Sequence, residues 1–164
     1  MAQRASSPVS LEAAERQFDR IQAFFPRIDS KVSSIFAIAS GEMAVASFIS
    51  LKNLHRWWML APGFLFLGAV GWTVYNLYRC TFPTLKRSPD SLIYFNEIID
   101  LDREVFVKRF TSASEEELKC DFARQTWQTS CIAAKKFAYL KQATMAAMLS
   151  LIPWAALLIA STFD

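Results

Sequence analysis

Residues 57–78 read WWMLAPGFLFLGAVGWTVYNLY, and these 22 residues contain no charged side chain. As an α-helix they would reach about 33 Å, enough to cross a hydrocarbon core of about 30 Å. Tryptophans stand at one end, and Trp72 with two tyrosines stands toward the other, as suits the two membrane–water interfaces. A helix buried in a soluble protein is the alternative, but 164 residues offer little material to enclose one so apolar. The stretch therefore predicts a membrane-spanning helix.

Two further segments, residues 32–51 and 143–163, are candidates to span the membrane. The first contains five serines, Gly41 and Glu42, and a carboxylate near a helix centre costs about 2.5–3.5 kcal/mol on insertion. That cost offsets the gain from the apolar side chains, so this helix needs a neighbour in order to cross. Residues 52–56 are short enough to place it in an antiparallel hairpin with residues 57–78. The other segment is uncharged, and Pro153 near its middle is expected to bend it.

The pattern outside these segments predicts helices. Ser10 can cap a helix that begins at Leu11, runs for about five turns and kinks at Pro26. Ser114 and Glu117 form a capping box that begins the longest helix, and this helix continues into residues 143–163. We therefore expect an all-α membrane protein of one domain, residues 1–164. It has three transmembrane helices (two as a hairpin, one C-terminal), an N-terminal amphipathic helix and a cytoplasmic helical segment between crossings two and three.

Apolar and small side chains recur at helical spacing and form faces on the predicted helices. One helical face is shared by Leu92, Phe95, Ile98 and Ile99, and Asp102 begins a second short helix. The apolar face of the longest helix comprises Leu118, Phe122, Trp127, Ile132, Ala133, Phe137 and Leu140. A stripe of small residues in the first crossing would let helix backbones approach closely in lipid, and it comprises Ser33, Ala37, Ser40, Ala44 and Ser47. The four glycines, expected to serve helix packing, are Gly41, Gly63, Gly68 and Gly71.

Basic residues close to the predicted spans indicate the orientation. Four precede the first crossing, and only Lys52 and Arg56 follow it. Basic residues also follow the second crossing and precede the third. Because cytoplasmic segments carry the excess of lysine and arginine, we expect residues 1–31 and 79–142 in the cytoplasm. His55 and the C-terminal Asp164 would then lie outside.

The composition excludes several classes of function. A net charge of +3 without a basic run gives no support for nucleic-acid binding. Three cysteines without a CxxC pair and a single histidine argue against a zinc site and a disulfide framework. The sequence contains no catalytic constellation of nucleophile, base and acid. We therefore expect no enzymatic activity, no cofactor and no metal.

Three pairs of residues stand out as candidates for function. Glu42, with Pro153 on the third crossing, predicts a pore-lining or gating role, and the alternative is a neutral glutamic acid bonded to a serine at a helix contact. Asp29 and Lys31 could bind an anionic ligand, pair with the later helix or anchor the interface. Lys135 and Lys136, beside Phe137, could hold a phosphate while a base stacks nearby, or they could reach to lipid headgroups.

The order of four motifs resembles the membrane-spanning effectors of the pyrimidine cyclase anti-phage (Pycsar) systems. The motifs are Asp29-Ser30-Lys31, Tyr94-Phe95-Asn96-Glu97-Ile98, Glu116-Glu117-Leu118 with Asp121 and Gln125, and Lys136-Phe137. The similarity spans about residues 24–158. This chain departs from the family pattern at Val32, where the family has alanine, and at Tyr94, where it has phenylalanine. Glu42 has no counterpart in that pattern, so the resemblance assigns it no role.

The resemblance implies a bacterial inner-membrane protein that binds cyclic UMP or cyclic CMP, made during phage infection by a nucleotide cyclase encoded nearby. The bound messenger would lead to membrane impairment and abortive infection. The implied ligand-binding residues are Asp29, Lys31, Phe95, Asp121, Gln125 and Lys136. Three crossings make a poor pore, so we expect a homo-oligomer joined through small-residue faces. The alternatives are a scaffold that recruits a cytoplasmic partner without a small ligand, and a ligand-free pore.

Overall fold

The computed structural model describes residues 9–52, 57–82 and 90–162, and within these ranges it contains helices and no strand. The helices are α1 (Leu11–Gln22), α2 (Phe24–Lys52), a 3₁₀ turn (Trp57–Met59), α3 (Leu60–Thr81), α4 (Phe95–Asp100), α5 (Arg103–Ser112) and α6 (Glu115–Thr162). Three stretches, Leu11–Ile49, Trp57–Thr81 and Glu115–Thr162, are long and apolar enough to cross a membrane. The prediction of an all-α membrane protein is confirmed.

The chain forms two compact units. We call Met1–Phe25 with Thr84–Ala133 the head unit, and Pro26–Pro83 with Ala134–Asp164 the membrane unit. Helix α6 contributes residues to both units, since it runs for 48 residues without a break. Three expectations rest on residues outside the described ranges: the short connection of the hairpin, of which residues 53–56 are not described, and the positions of His55 and Asp164.

The first helix begins as expected but ends early. Ser10 caps α1, and its Oγ accepts a hydrogen bond from the Ala13 N–H at 3.2 Å. The predicted five-turn helix kinked at Pro26 is wrong, because α1 ends at Gln22 and α2 begins at Phe24. A proline at position 26 cannot donate to the carbonyl of Gln22 and would clash with it, so the helix breaks before the proline. Pro26 instead occupies the first turn of α2, where no donor is needed.

The membrane unit has two small cores, one near each end of its helices. The first contains Ala46, Met59, Phe66, Val70 and Leu157, and the second contains Ile28, Cys80 and Leu140. Large apolar side chains point outward from the same helices, among them Phe64, Leu65, Met148 and Ile152. An apolar surface of this kind is unfavourable in water and suits a lipid environment.

The expected packing role of the small residues differs from what the structure shows within the chain. The stripe from Ser33 to Ser47 is exposed, while Ala39 and Ala46 of α2 are the small residues that are buried. A Cβ atom added to any of the four glycines would meet nothing within 4 Å. The prediction that glycines permit close helix packing is therefore not met inside one subunit.

The head unit contains the short helices and the first part of α6. Asp102 caps α5 through a hydrogen bond to the Glu104 N–H at 2.9 Å. The capping box before α6 is confirmed, because the Ser114 N–H donates to Glu117 Oε2 at 2.8 Å and the Glu117 N–H donates to Ser114 Oγ at 3.3 Å. Leu92 does not share the helical face of Phe95, because α4 starts only at Phe95. Pro153 lies inside α6, and the bend expected there stays a prediction.

Candidate functional site

An ion pair joins the first and third spanning helices. Lys136 Nζ of α6 lies 2.9 Å from Asp29 Oδ1 of α2. The Lys136 side chain is only 8% exposed, whereas that of Asp29 is 57% exposed. Asp29 therefore pairs with the later helix, which is one of the three roles that its sequence position allowed. A buried ammonium needs such a partner, since desolvation otherwise disfavours the charge.

The second spanning helix joins the same region. Cys80 of α3 is fully buried, and its thiol donates to the Lys136 backbone carbonyl with an Sγ–O distance of 3.4 Å. One residue earlier, the Arg79 guanidinium donates to the hydroxyls of Tyr75 and Tyr139 at 3.0 and 2.8 Å. The guanidinium carbon also lies 5.1 Å from the centre of the Tyr139 ring, which is a cation–π distance. Side chains of α2, α3 and α6 thus meet around Lys136.

Lys31 is not part of this ion pair. It is exposed and lines a separate cavity of about 500 Å³ between α2 and α6. The cavity also includes Lys141 and the hydroxyls of Ser34 and Thr144. Asp29 and Lys31 are therefore close in sequence but have different settings: Asp29 belongs to the ion pair with Lys136, and Lys31 lines the cavity.

Asp121 and Gln125 meet at the buried hydroxyl of Ser91. Asp121 Oδ2 accepts hydrogen bonds from Ser91 Oγ at 3.0 Å and from the Leu92 N–H at 2.8 Å. Gln125 Nε2 donates to Ser91 Oγ at 3.0 Å, and Gln125 is 2% exposed. Ser91 Oγ also accepts from the Tyr94 N–H at 2.9 Å. This network fixes the segment that enters α4, so both predicted ligand residues have a structural role here.

Phe95 is exposed, and its ring packs against that of Tyr94 with 5.1 Å between the ring centres. The six predicted ligand residues therefore divide into groups: Asp29 with Lys136, Asp121 with Gln125, and Lys31 and Phe95 each in a separate setting. The two pairs belong to different units of the chain.

A polar cavity of about 530 Å³ lies in the head unit, between α5 and the start of α6. Arg109 and Arg124 line it together with four carboxylates, which are Asp90, Glu116, Glu117 and Asp121. Each carboxylate already has a partner. Asp90 lies 3.8 Å from Arg109, Glu116 lies 2.9 Å from Lys119, Glu117 binds Ser114, and Asp121 binds Ser91.

Electrostatics at this cavity follow from those pairings. The Ser114 N–H, and then its hydroxyl, lower the pKa of Glu117 from its ordinary value, because both donate to the charged carboxylate. Among the described residues Arg124 has no ion pair, so its guanidinium keeps its full set of donors for an anion. The cavity volume lies within the range usual for small-molecule sites.

A second head-unit cavity, of about 660 Å³, lies between α1 and α6. Trp127 and Lys119 line it with Gln17 of α1. Trp127, which belongs to the predicted apolar face of α6, is 72% exposed. Trp127 and Phe137 of the predicted apolar face are therefore exposed, and the buried residues of α6 at this level are Gln125, Ala133 and Lys136.

Glu42 lies at a helix contact inside the membrane unit. It is 6% exposed, and Ser150 Oγ of α6 lies 2.8 Å from its Oε2. The Trp154 indole N–H donates to the Glu42 backbone carbonyl at 3.1 Å. Glu42 Oε1 is buried without a hydrogen-bond partner. The geometry matches the alternative of a glutamic acid bonded to a serine, whereas the gating role of Glu42 and Pro153 stays a prediction.

Sequence reasoning missed the partners of these residues. Ser150 and Trp154 could have been found by comparing positions on the first and third spans that lie at the same distance from the membrane surface, because polar groups at the same depth can face one another. Ser91 and Arg124 carry no comparable signal, since a serine after a turn and an arginine on an exposed helix face are common. Cys80 also could not be singled out, because its role depends on tertiary packing against Lys136.

The fold and these contacts define a three-span membrane protein whose third span is the continuation of a head-unit helix. The chain belongs to the Pycsar effector family, because the family model described as Pycsar effector protein domain matches residues 13–161. It is thus an anti-phage effector that acts downstream of a cyclic nucleotide signal and is not itself the cyclase. No curated protein and no solved structure is significantly similar to it.

Proposed function

We propose that this effector binds a cyclic pyrimidine nucleotide, cyclic UMP or cyclic CMP, and then impairs the integrity of the bacterial inner membrane. The messenger comes from a cyclase encoded nearby, and the outcome is abortive infection. The observation that carries the proposal is the continuity of α6. This single helix lines the polar head-unit cavity with Asp121 and Arg124 and continues through Lys136 and Ser150, which bond to α2.

The proposed topology places the head unit in the cytoplasm, where the messenger is made. The N-terminus and residues 79–142 lie inside, and the C-terminus lies outside. The distribution of lysine and arginine around the spans supports this orientation. It is also consistent with the contacts between α2 and α6, which require the two helices to enter the membrane from the same side.

The head-unit cavity carries guanidinium donors and carboxylate acceptors, and a cyclic pyrimidine nucleotide has groups that bind to each. The ligand carries one negative charge on its phosphodiester, a ribose hydroxyl and a base with both donors and acceptors. Arg124 and Arg109 supply guanidinium donors for the phosphate. Glu116 and Asp121 supply acceptors for the ribose hydroxyl and for base N–H groups. Of the six predicted ligand residues, Asp121 is the one that lines this cavity.

Ligand binding would reach the membrane unit by changing the contacts of α6. Asp121 and Gln125 hold Ser91, so a ligand that competes for Asp121 loosens the segment entering α4. Farther along α6, the bonds from Lys136 to Asp29 and from Ser150 to Glu42 hold the resting arrangement of the spans. To shift an assembly from 1:99 to 99:1, the ligand must favour the open form by about 5.5 kcal/mol.

A homo-oligomer would supply that free energy, because each subunit binds its own messenger. It would also bring together enough spans to form a lesion, which three crossings alone do poorly. The stripe of small residues on α2 is available for such contacts, since all five of its residues are exposed.

The direct test is calorimetric titration of the detergent-purified protein with cyclic UMP and cyclic CMP, using cyclic AMP as the purine control. Saturable binding of a pyrimidine nucleotide, together with nucleotide-dependent dye release from liposomes containing the protein, supports the proposal. An absence of both binding and release overturns it.

One observation favours a second candidate, a scaffold that recruits a cytoplasmic protein without any small ligand. The head unit exposes several large apolar side chains, including Ile99, Val107 and Trp127. A scaffold predicts that Trp127→Ala abolishes function while Arg124→Gln, Lys136→Ala and Asp29→Ala leave it intact. A nucleotide-gated effector predicts the opposite for Arg124→Gln.

A further inference from the structure

The cavity between α2 and α6 that contains Lys31 is distinct from the cavity proposed for the messenger. One lysine comes from each helix, Lys31 from α2 and Lys141 from α6. No carboxylate lines the cavity, and the described residues place none within ion-pair distance of either lysine. The nearby carboxylate of Asp29 is bound to Lys136 instead. The site therefore carries two positive charges that the protein does not neutralise.

The rest of the lining is divided between polar and apolar parts. Ser34 and Thr144 present hydroxyls, but both donate back to their own helices, to the carbonyls of Ser30 at 3.0 Å and Leu140 at 2.8 Å. The lysines are thus the donors that an anion would meet. The apolar part comprises Ile35, Phe137, Leu140 and Met145. Ile35 and Met145 lie within the segments that cross the membrane.

Position along the helices sets the level of this site. Lys31 directly precedes the segment 32–51, and Lys141 precedes the segment 143–163 by two residues. Both ammonium groups therefore lie where these helices enter the bilayer, with Ile35 and Met145 on the hydrocarbon side. Basic pockets between spanning helices at this level bind anionic lipid headgroups.

We propose that the Lys31–Lys141 cavity binds an anionic phospholipid, with its headgroup phosphate between the two ammonium groups and the start of an acyl chain along Ile35 and Met145. A free phosphate or a nucleotide shares the anionic chemistry, but it has no acyl chain that could pack against the apolar side chains in the membrane. The inference depends on the membrane topology and not on the messenger, so it can fail while the proposed function stands.

The experiment compares retention of phosphatidylglycerol and phosphatidylcholine by the purified protein, measured by native mass spectrometry after incubation with mixed micelles. Each lysine near an anionic surface increases the affinity for that surface about fivefold. We expect wild type to retain phosphatidylglycerol preferentially. The affinity of the Lys31→Gln/Lys141→Gln variant for this lipid should fall about 30-fold. The matched control is Lys135→Gln, an exposed lysine of α6 outside the cavity, and it should retain the lipid.

Two further arms keep the result decisive. The Lys31→Arg/Lys141→Arg variant preserves both charges and should bind lipid even if the glutamine variant folds poorly. Cyclic UMP and inorganic phosphate are added as competitors to wild type, and neither should displace the lipid. Equal retention of the two lipids by wild type, retention by the glutamine variant, or displacement by a soluble phosphate would each overturn the proposal.

Discussion

Ser150 and Glu42 lie 108 positions apart in the chain, and Ser150 Oγ is 2.8 Å from Glu42 Oε2. The ion pair between Lys136 and Asp29 has almost the same separation, 107 positions. A constant offset means that α2 and α6 run parallel and in register between these contacts. The contacts are about 20 Å apart along α2, at about 1.5 Å for each residue. One bond near the membrane entrance and one deep in the bilayer therefore hold the same pair of helices.

The hydrogen bond between Ser150 and Glu42 determines what a substitution there does. The Ser150 hydroxyl has one hydrogen, which it donates to Glu42 Oε2 at 2.8 Å or to the Ala147 carbonyl at 2.7 Å. A glutamine amide oxygen at position 42 can accept from Ser150 in the same way, so we expect Glu42→Gln to insert and to keep the thermal stability of wild type. Ser150→Ala should lose about 1–3 kcal/mol, because it leaves Glu42 unpaired.

Leakage distinguishes a gating role of Glu42 from a packing role. A gating role predicts that Glu42→Gln changes nucleotide-dependent dye release from liposomes, because the substitution removes the carboxyl group from the pathway. Thermal unfolding in detergent is measured on the same samples, with Val45→Ala as an exposed control on α2. Unchanged release would reduce Glu42 to a packing residue.

The ion pair of Lys136 with Asp29 should respond asymmetrically to substitution. Asp29→Ala leaves a nearly buried ammonium without its carboxylate, so we expect a loss of about 1–3 kcal/mol in the free energy of unfolding. This is less than for a fully buried pair because Asp29 is half exposed. Lys136→Met removes the buried charge and leaves a carboxylate that water can reach, so it should cost about 1 kcal/mol or less. Detergent denaturation measures both, with Glu15→Ala as the exposed control. A larger loss for Lys136→Met would contradict the prediction.

Local signals account for much of the fold that could be predicted from the sequence. The caps at Ser10, Asp102 and Ser114 act within a few residues, and the three spans depend on composition over about 20 residues. Contacts between distant residues have no such signal. The exposure of Trp127 and the choice of Ser91 as partner of Asp121 depend on how helices pack, which periodicity alone leaves undetermined. The break before Pro26 could not be predicted either, because a proline can kink a continuous helix or lie in the first turn of a new one.

The proposed orientation can be tested with the native cysteines. Cys120 is exposed in the head unit, whereas Cys80 is fully buried. In a Cys131→Ser background, a membrane-impermeant maleimide should label Cys120 in inverted inner-membrane vesicles but not in intact spheroplasts. The Cys120→Ser variant shows how much labelling is nonspecific. Labelling in intact spheroplasts would place the head unit outside and reverse the topology.

The capping box predicts a pH dependence of helix stability. The pKa of Glu117 is lowered by the hydrogen bonds from Ser114, so the ionised form is favoured in the folded state. A lowered pKa contributes stability above the unfolded value of about 4.3, and this stability is lost as the pH falls through the folded value. We expect the thermal midpoint of wild type to exceed that of Glu117→Gln above pH 5, and the gap to close in more acidic buffer. A gap that is independent of pH would contradict this role of Glu117.

Arg124 provides the sharpest test of the head-unit cavity as the messenger site. Its guanidinium has no ion pair within the described residues, so its donors remain available to the phosphodiester of the ligand. A hydrogen bond to a charged group contributes about 1.5–3 kcal/mol, so Arg124→Gln should weaken binding of the cyclic pyrimidine nucleotide about tenfold or more. Arg103→Gln, an exposed arginine of α5 outside the cavity, should bind like wild type in the same calorimetric titration. If wild type binds and Arg124→Gln binds equally well, the messenger occupies another site, and the cavity beside Trp127 becomes the next to test.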